Sequence, residues 1–184
     1  MSATNRGTVR NEADFYITPT KTINAFLDVF EIEGKEILEP TAGNGAIVRE
    51  IHKRYITHNI IANDIRDERK ILLNVGAEWA YNMDFLKCNG ISPRPDTIIT
   101  NPPYFIAREI IEKCFEIAPD AEIIMLLRLA FLESKKRREF WKKHPLTQLY
   151  PLIERPSFTG RGTDATAYGW FVWTKRRPAL IRSI

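Results

Sequence analysis

An α/β fold, with helices covering both faces of a mostly parallel sheet, is predicted by three features of the 184-residue sequence. Short runs rich in β-branched residues alternate with segments of helical period. Several of these runs, such as AEIIMLLRLAF at 121–131, are apolar on both faces, as strands between two helical layers must be. Past residue 144 the helices stop and two strand-like runs follow one another directly, so the sheet should close with an antiparallel hairpin.

Taken in order, residues 1–15 are polar and read as a flexible arm; Arg6 and Arg10 sit in it and can order on binding a partner. Residues 18–32 open on Thr-Pro and place Ile23, Phe26, Leu27 and Phe30 at helical spacing. A short buried strand follows at 35–40, then an amphipathic helix at 44–55 with Ile47, Val48 and Ile51 inward. Residues 58–65 form a second strand, and 67–76 a short helix closed by Gly76. Strands at 78–85 and 96–101 precede a helix at 104–117 that carries Ile106, Ile110, Cys114 and Ile117 on one stripe. The fifth strand is 121–131, and 133–144 is a very basic helix. Strands at 146–152 and 166–175, joined by a loop, bring the expected total to seven. No internal repeat or low-complexity segment interrupts this series, so residues 1–184 read as one domain.

The chain is 44% apolar and 27% charged, an ordinary globular balance. It has no apolar run long enough to span a bilayer, and its first residues lack the apolar core of a signal peptide. Cys88 and Cys114 stand in no metal-binding spacing and suit a reducing, cytoplasmic setting without a structural metal. A net charge of +4 is compatible with a nucleic-acid partner without proving one.

In an open α/β sheet the ligand sits past the carboxyl ends of the strands, so the chemistry belongs to the residues there. Strand one ends in EPTAGNG at 39–45. Gly43 and Gly45 let the backbone approach a ligand, and the helix that follows offers unpaired N–H groups to a carboxylate; the same pattern also suits a plain tight turn. Strand two ends at Asp64, 19 positions after Gly45, where an acid can grip ribose hydroxyls or cap the next helix together with Asp67. Strand three ends at Asp84-Phe85, which suits an adenine amino group and ring, or a turn. Strand four ends in Asn101-Pro102-Pro103-Tyr104. Two adjacent prolines fix two φ angles and remove two donors, a costly way to make an ordinary turn.

The series FYITP (15–19), EPTAGNG (39–45), NDI (63–65), MDF (83–85) and NPPY (101–104) resembles an adenine-specific DNA methyltransferase, most closely the small phage-type enzymes. The resemblance runs over nearly the whole chain, and its most specific part is the tetrapeptide. It implies the Rossmann-like fold of the S-adenosylmethionine-dependent methyltransferases, that cofactor with S-adenosylhomocysteine as product, and no metal. It implies that Glu39, Pro40, Thr41, Ala42, Gly43, Asn44 and Gly45 hold the methionine part. Asp64 would hold the ribose and Asp84 with Phe85 the adenine, while Tyr16, Thr18 and Pro19 line the carboxylate side. The biological setting could be restriction-modification, regulation or phage protection.

The tetrapeptide then has a chemical reading. An adenine amino nitrogen is a poor nucleophile because its lone pair is conjugated into the ring. The Asn101 side-chain oxygen and the Pro102 carbonyl can accept its two N–H bonds and favour the tetrahedral form. Pro102 and Pro103 hold both acceptors still, and Tyr104 stacks on a target base turned out of the helix.

The loop after strand six carries Arg155, Ser157, Arg161 and Thr163 beside Gly160 and Gly162. It suits phosphate contacts or a plain hairpin equally. The basic residues of 133–144 suit a solvated helix face on the flank of the sheet better than a nucleic-acid contact. Asn101 follows Asp84 by only 17 positions and 80 residues follow Tyr104, enough to finish the sheet but not to build a recognition domain. A very short target, a second subunit of a homodimer or a separate specificity partner would fit. So would RNA base-amino methylation, protein glutamine methylation, or a non-catalytic cofactor-binding module.

Overall fold

The computed structural model of the chain describes residues 17–158 and 164–184. The expected arm at 1–15, Tyr16, and loop residues Arg161 and Thr163 lie outside these. Thirteen elements follow in chain order: α1 (Thr20–Leu27), β1 (Glu36–Glu39), α2 (Ala46–Arg54), β2 (Asn59–Asp64), α3 (Arg69–Asn74), β3 (Trp79–Asn82), β4 (Thr97–Thr100), α4 (Ala107–Ile117), β5 (Glu122–Arg128), α5 (Arg138–Lys143), β6 (Gln148–Pro151), β7 (Tyr168–Trp173) and β8 (Leu180–Ile181). One sheet holds all the strands in the order β3-β2-β1-β4-β5-β7-β6-β8. The first five are parallel, and β7 inserts antiparallel between β5 and β6.

The predicted layers are present. Strand residues alternate between two cores: Ile99, Ile124 and Leu126 face α1 and α2, while Ile98, Ile123, Met125 and Leu127 face α4 and α5. On the first face Phe26 stacks on Trp170 with ring centroids 4.8 Å apart, and the Trp170 indole donates to the Thr22 carbonyl at 3.3 Å. Helix α1 is thereby fixed to β7. On the second face Phe140 meets Phe131 and Trp173 edge-on. Both free cysteines are buried.

Several elements differ from the expectation. There are eight strands, not seven. β8 pairs with β6 at the sheet edge and its two residues are exposed, so no burial pattern marks it. Strand three ends at Asn82 because the Asp84 side chain accepts from Leu86 N and starts a 3-10 turn, Phe85–Lys87. Strand five ends at Arg128 and passes into a 3-10 turn, Leu129–Leu132. The basic segment is only a short helix, preceded by a further 3-10 turn at Lys135–Arg137.

The order of strands reverses beside β1, which is flanked by β2 on one side and β4 on the other. The ends of β1, β2 and β4 therefore open onto one crevice at the switch point.

Candidate active site

The loop after β1 is built by two left-handed glycines, Gly43 at φ 56° and Gly45 at φ 72°. A Cβ on Gly45 would stand 2.6 Å from a Val75 methyl, so the turn admits only glycine there. Thr41 at the start of this loop shares a 2.7 Å hydroxyl–hydroxyl bond with Thr100, the last residue of β4. The loop after β1 and the proline loop are thus joined at their bases.

Asp64 holds the second wall. Its Oδ2 accepts from Gly43 N at 2.7 Å, and its Oδ1 accepts from Arg66 N and Arg66 Nε, both at 3.0 Å. It does not cap α3, whose N-cap position is Glu68 and has no side-chain cap, and Asp67 instead pairs with Arg69. Asp84 spends one oxygen on Leu86 N and the other on Lys87 Nζ. Phe85 is buried in the second core while bordering the crevice.

Asn101 carries the most informative geometry. Its Nδ2 donates to Thr18 Oγ1 at 3.1 Å, which fixes the plane of the amide. Its Oδ1 is buried and has no hydrogen-bond partner among the described residues. A buried unpaired acceptor is expensive unless something binds it, by roughly 1–3 kcal/mol. Pro103 is extended and Tyr104 starts a 3-10 turn that leads into α4. The Tyr104 ring is flanked by Arg128, whose guanidinium lies 4.9 Å over it, and by Tyr168 and Phe158. Arg128 Nε donates to the Tyr168 hydroxyl, which donates to Asp164. Burial, and then Tyr168, push the Tyr104 phenol far above its ordinary range, so it stays neutral.

These walls enclose a cavity of about 210 Å³. Of the residues picked from sequence, Thr18, Glu39 to Asn44, Asp64, Asp84, Phe85 and Asn101 to Tyr104 all border it. Pro19 and Gly45 do not; Pro19 turns its carbonyl to Thr22 and Ile23 at the start of α1, and Gly45 packs behind the loop. Arg155 is exposed and Ser157 half-buried, and neither borders the cavity. Glu39 lies at its floor, 2% exposed, accepting from Val48 N at 3.1 Å. Burial pushes its carboxyl well above the usual range, and the Asp64 charge adds to this.

Sequence reasoning passed over Asn63, Ile65, Arg66 and Met83, which also border the cavity. Asn63 is 1% exposed and fully bonded. It donates to the carbonyls of Pro40 and Met83 and accepts from Met83 N, tying the loops after β1 and β3 together. An asparagine inside the apolar run NIIAND was the available signal. Ile65 is 68% exposed on the cavity rim, a flat apolar surface ready for a ring.

Among the described residues no group of three or more His, Cys, Asp or Glu is placed to hold a metal ion, and no helix is long and apolar enough to cross a membrane.

A doubly covered sheet with this strand order, a glycine turn after β1, an acid ending β2 and another just past β3 is the class I, S-adenosylmethionine-dependent methyltransferase fold. A solved structure assigned to that class, from Listeria monocytogenes, superposes with a TM-score of 0.67 at 16% identity, covering 94% of this chain and 67% of that one. The 23S rRNA methyltransferase ErmE superposes with a TM-score of 0.65 at 20% identity over 90% of this chain and 72% of its own. In sequence, the type II methyltransferase M.CvrRI of Paramecium bursaria Chlorella virus XZ-6E is 25% identical over 147 residues, covering 68% of this chain. The chain spans only 39% of that relative's length. No family model matches.

Proposed function

We propose that the protein transfers a methyl group from S-adenosylmethionine to the exocyclic N6 amino group of adenine in DNA, with the described residues acting as one catalytic domain. The observation that carries this reading is the Asn101 amide, which borders the cavity, is locked by Thr18 and has an oxygen with no hydrogen-bond partner among the described residues. The type II methyltransferase relative supports DNA as the substrate. The cavity suits the cofactor: the left-handed turn at Gly43 and Gly45 brings backbone close, Glu39 offers a buried carboxyl to a cationic group, and Ile65, Asp84 and Phe85 offer apolar surface and an acceptor to an adenine.

When bound, S-adenosylmethionine supplies a methyl group on a positively charged sulfur leaving group. The chain's own residues do the rest. Asn101 Oδ1 and the Pro102 carbonyl accept the two amino hydrogens and make the nitrogen lone pair available. Pro102 and Pro103 keep the acceptors from drifting, and Tyr104 gives the extruded base a surface. The amino proton released after transfer can leave to solvent.

Thr18 acts on the reaction through Asn101. Thr18→Val is expected to lower turnover by about five- to tenfold, the worth of one neutral hydrogen bond, with little change in cofactor affinity. Thr18→Ser should restore it. Equal losses in the Val and Ser variants would show that the hydroxyl does not orient the amide.

Glu39 gives a pH dependence. Its folded-state pKa is raised, so below the raised value it is protonated and offers no charge to a cationic cofactor. Binding the cation draws the proton off, and affinity should climb as pH rises through that range. Titration calorimetry in buffers of different ionisation heat should show proton release, and Glu39→Gln should abolish it. A pH-independent affinity with no proton release would remove Glu39 from the cofactor site.

The deciding experiment offers radiolabelled S-adenosylmethionine to the purified protein with duplex DNA, single-stranded DNA, RNA and a protein extract in parallel. Label recovered as N6-methyladenine in DNA is the expected result. Label only in RNA or in glutamine would keep the catalytic scheme and change the substrate, and cofactor binding without any label would overturn the enzyme reading.

A further inference from the structure

The basic run SKKRR at 134–138 is divided by the fold into two tasks. Arg137 turns inward. Its Nη1 donates to the carbonyls of Ala130, Phe131 and Glu133 at 3.3, 3.3 and 2.6 Å, and its guanidinium lies 4.5 Å over the Phe131 ring. Lys135, Lys136 and Arg138 are exposed and make no ion pair among the described residues. Of the acids in this segment, Glu139 is taken by Lys142.

Ser134, which starts the turn, is at φ 113°, the one positive φ found outside glycine among the described residues. Such a conformation costs roughly 1–3 kcal/mol, and strain of this kind gathers where a fold must aim particular groups. Here the Ser134 hydroxyl accepts from Lys136 N at 3.2 Å and starts the turn that carries both lysines.

The segment leaves the sheet at its active-site edge. β5 runs beside β4 with Met125 opposite Thr100, so Arg128 emerges next to the catalytic loop and lies over Tyr104. From there to Lys135 the chain covers about 15 Å, most of it in 3-10 turns. α5 then leads away: His144 stacks on Phe115, and Lys143 borders a groove with Glu116 and Pro119 at the far end of α4. β6 is antiparallel to β7, which is antiparallel to β5, so the end of β6 returns to the active-site edge and leaves Arg155 exposed there.

We propose that Arg128, Lys135, Lys136, Arg138 and Arg155 form a cationic rim that grips the phosphates of the nucleic-acid strand carrying the target base. This rests on the nucleic-acid reading above and adds to it where the strand lies. The rim reads charge and spacing, not sequence, as phosphate contacts do. The basic segment thus serves at its start, not along the helix face.

The test uses the full chain with S-adenosylhomocysteine present and labelled duplex DNA, single-stranded DNA and an RNA hairpin. Binding is followed by anisotropy from low to physiological salt. Each phosphate contact contributes about 0.9 to the slope of log affinity against log salt on duplex and about 0.7 on single strands. The triple variant Lys135→Gln, Lys136→Gln, Arg138→Gln should lower the slope by about 2 to 3 on the preferred nucleic acid. The double variant Lys142→Gln, Lys143→Gln should leave it unchanged, and the ligand that loses most identifies the natural strand. Unchanged cofactor affinity shows that the triple variant is folded. A wild-type slope in the triple variant, or an equal fall in the double variant, overturns the rim while the catalytic reading stands. Failure of the wild-type protein to bind any of the three ligands overturns the nucleic-acid reading itself.

Discussion

Asn101→Ala is expected to lower methyl transfer by about two to three orders of magnitude, the usual loss when one preorganised polar partner of a transition state is removed. Cofactor affinity should stay within about twofold of wild type, since the change removes no group assigned to cofactor binding and relieves a buried acceptor that has no partner in the described structure. Single-turnover transfer and calorimetry with S-adenosylhomocysteine measure the two separately. Asn101→Asp sharpens the result. A carboxylate keeps the acceptor and loses the Nδ2 donor, but the Thr18 hydroxyl can rotate and donate to it. That variant should retain much more activity than Ala. Wild-type turnover in Asn101→Ala would remove the amide from the mechanism.

Asp64→Ala should show the opposite pattern. Cofactor affinity is expected to fall by about 10- to 100-fold, or about 1.4–3 kcal/mol, with turnover at saturating cofactor nearly kept. The carboxylate accepts from a backbone N–H on the first loop and from both the backbone and the side chain of Arg66. Its loss leaves Gly43 N without that partner and takes one of its partners from Arg66 at the same time. Asp64→Asn has one acceptor oxygen for these donors, so it should fall between the two. A loss confined to turnover would mean that Asp64 belongs to the catalytic loop instead.

The parts of this fold legible in sequence are those whose burial leaves a mark. β5 is apolar on both faces because it is covered on both, and the proline loop is visible because Pro-Pro after a strand has no ordinary use. β8 left no mark because an exposed edge strand buries nothing, and its pairing rests on backbone bonds such as Leu180 N to the Thr147 carbonyl. The site was legible at the strand ends and dim between them. Asp64 was expected at the cavity, but its hold on Gly43 depends on two loops meeting in space. The Thr18 bond to Asn101 joins residues 83 positions apart, and no local pattern foretells it. The basic segment reads as one helix from its composition, but only Arg138–Lys143 is α-helical, because Arg137 folds back on the carbonyls of the turn before it and a 3-10 turn comes first.

The attachment of α1 to β7 has a consequence in the order of synthesis. Thr18 lies just ahead of α1, and α1 is seated by Phe26 on Trp170 and by the Trp170 indole on Thr22, a partner made 148 positions later. At a translation rate of roughly 5–20 residues per second, that partner arrives about 7–30 seconds after α1 has been made. Until then the threonine that aligns the Asn101 amide has no fixed seat. A nascent chain can have all the residues of the crevice in sequence, and even the proline loop, while the Asn101 amide is still free to turn. The seat of Thr18 is therefore set only after β7 has been made and has paired with β5 and β6, when the first helix finds its place.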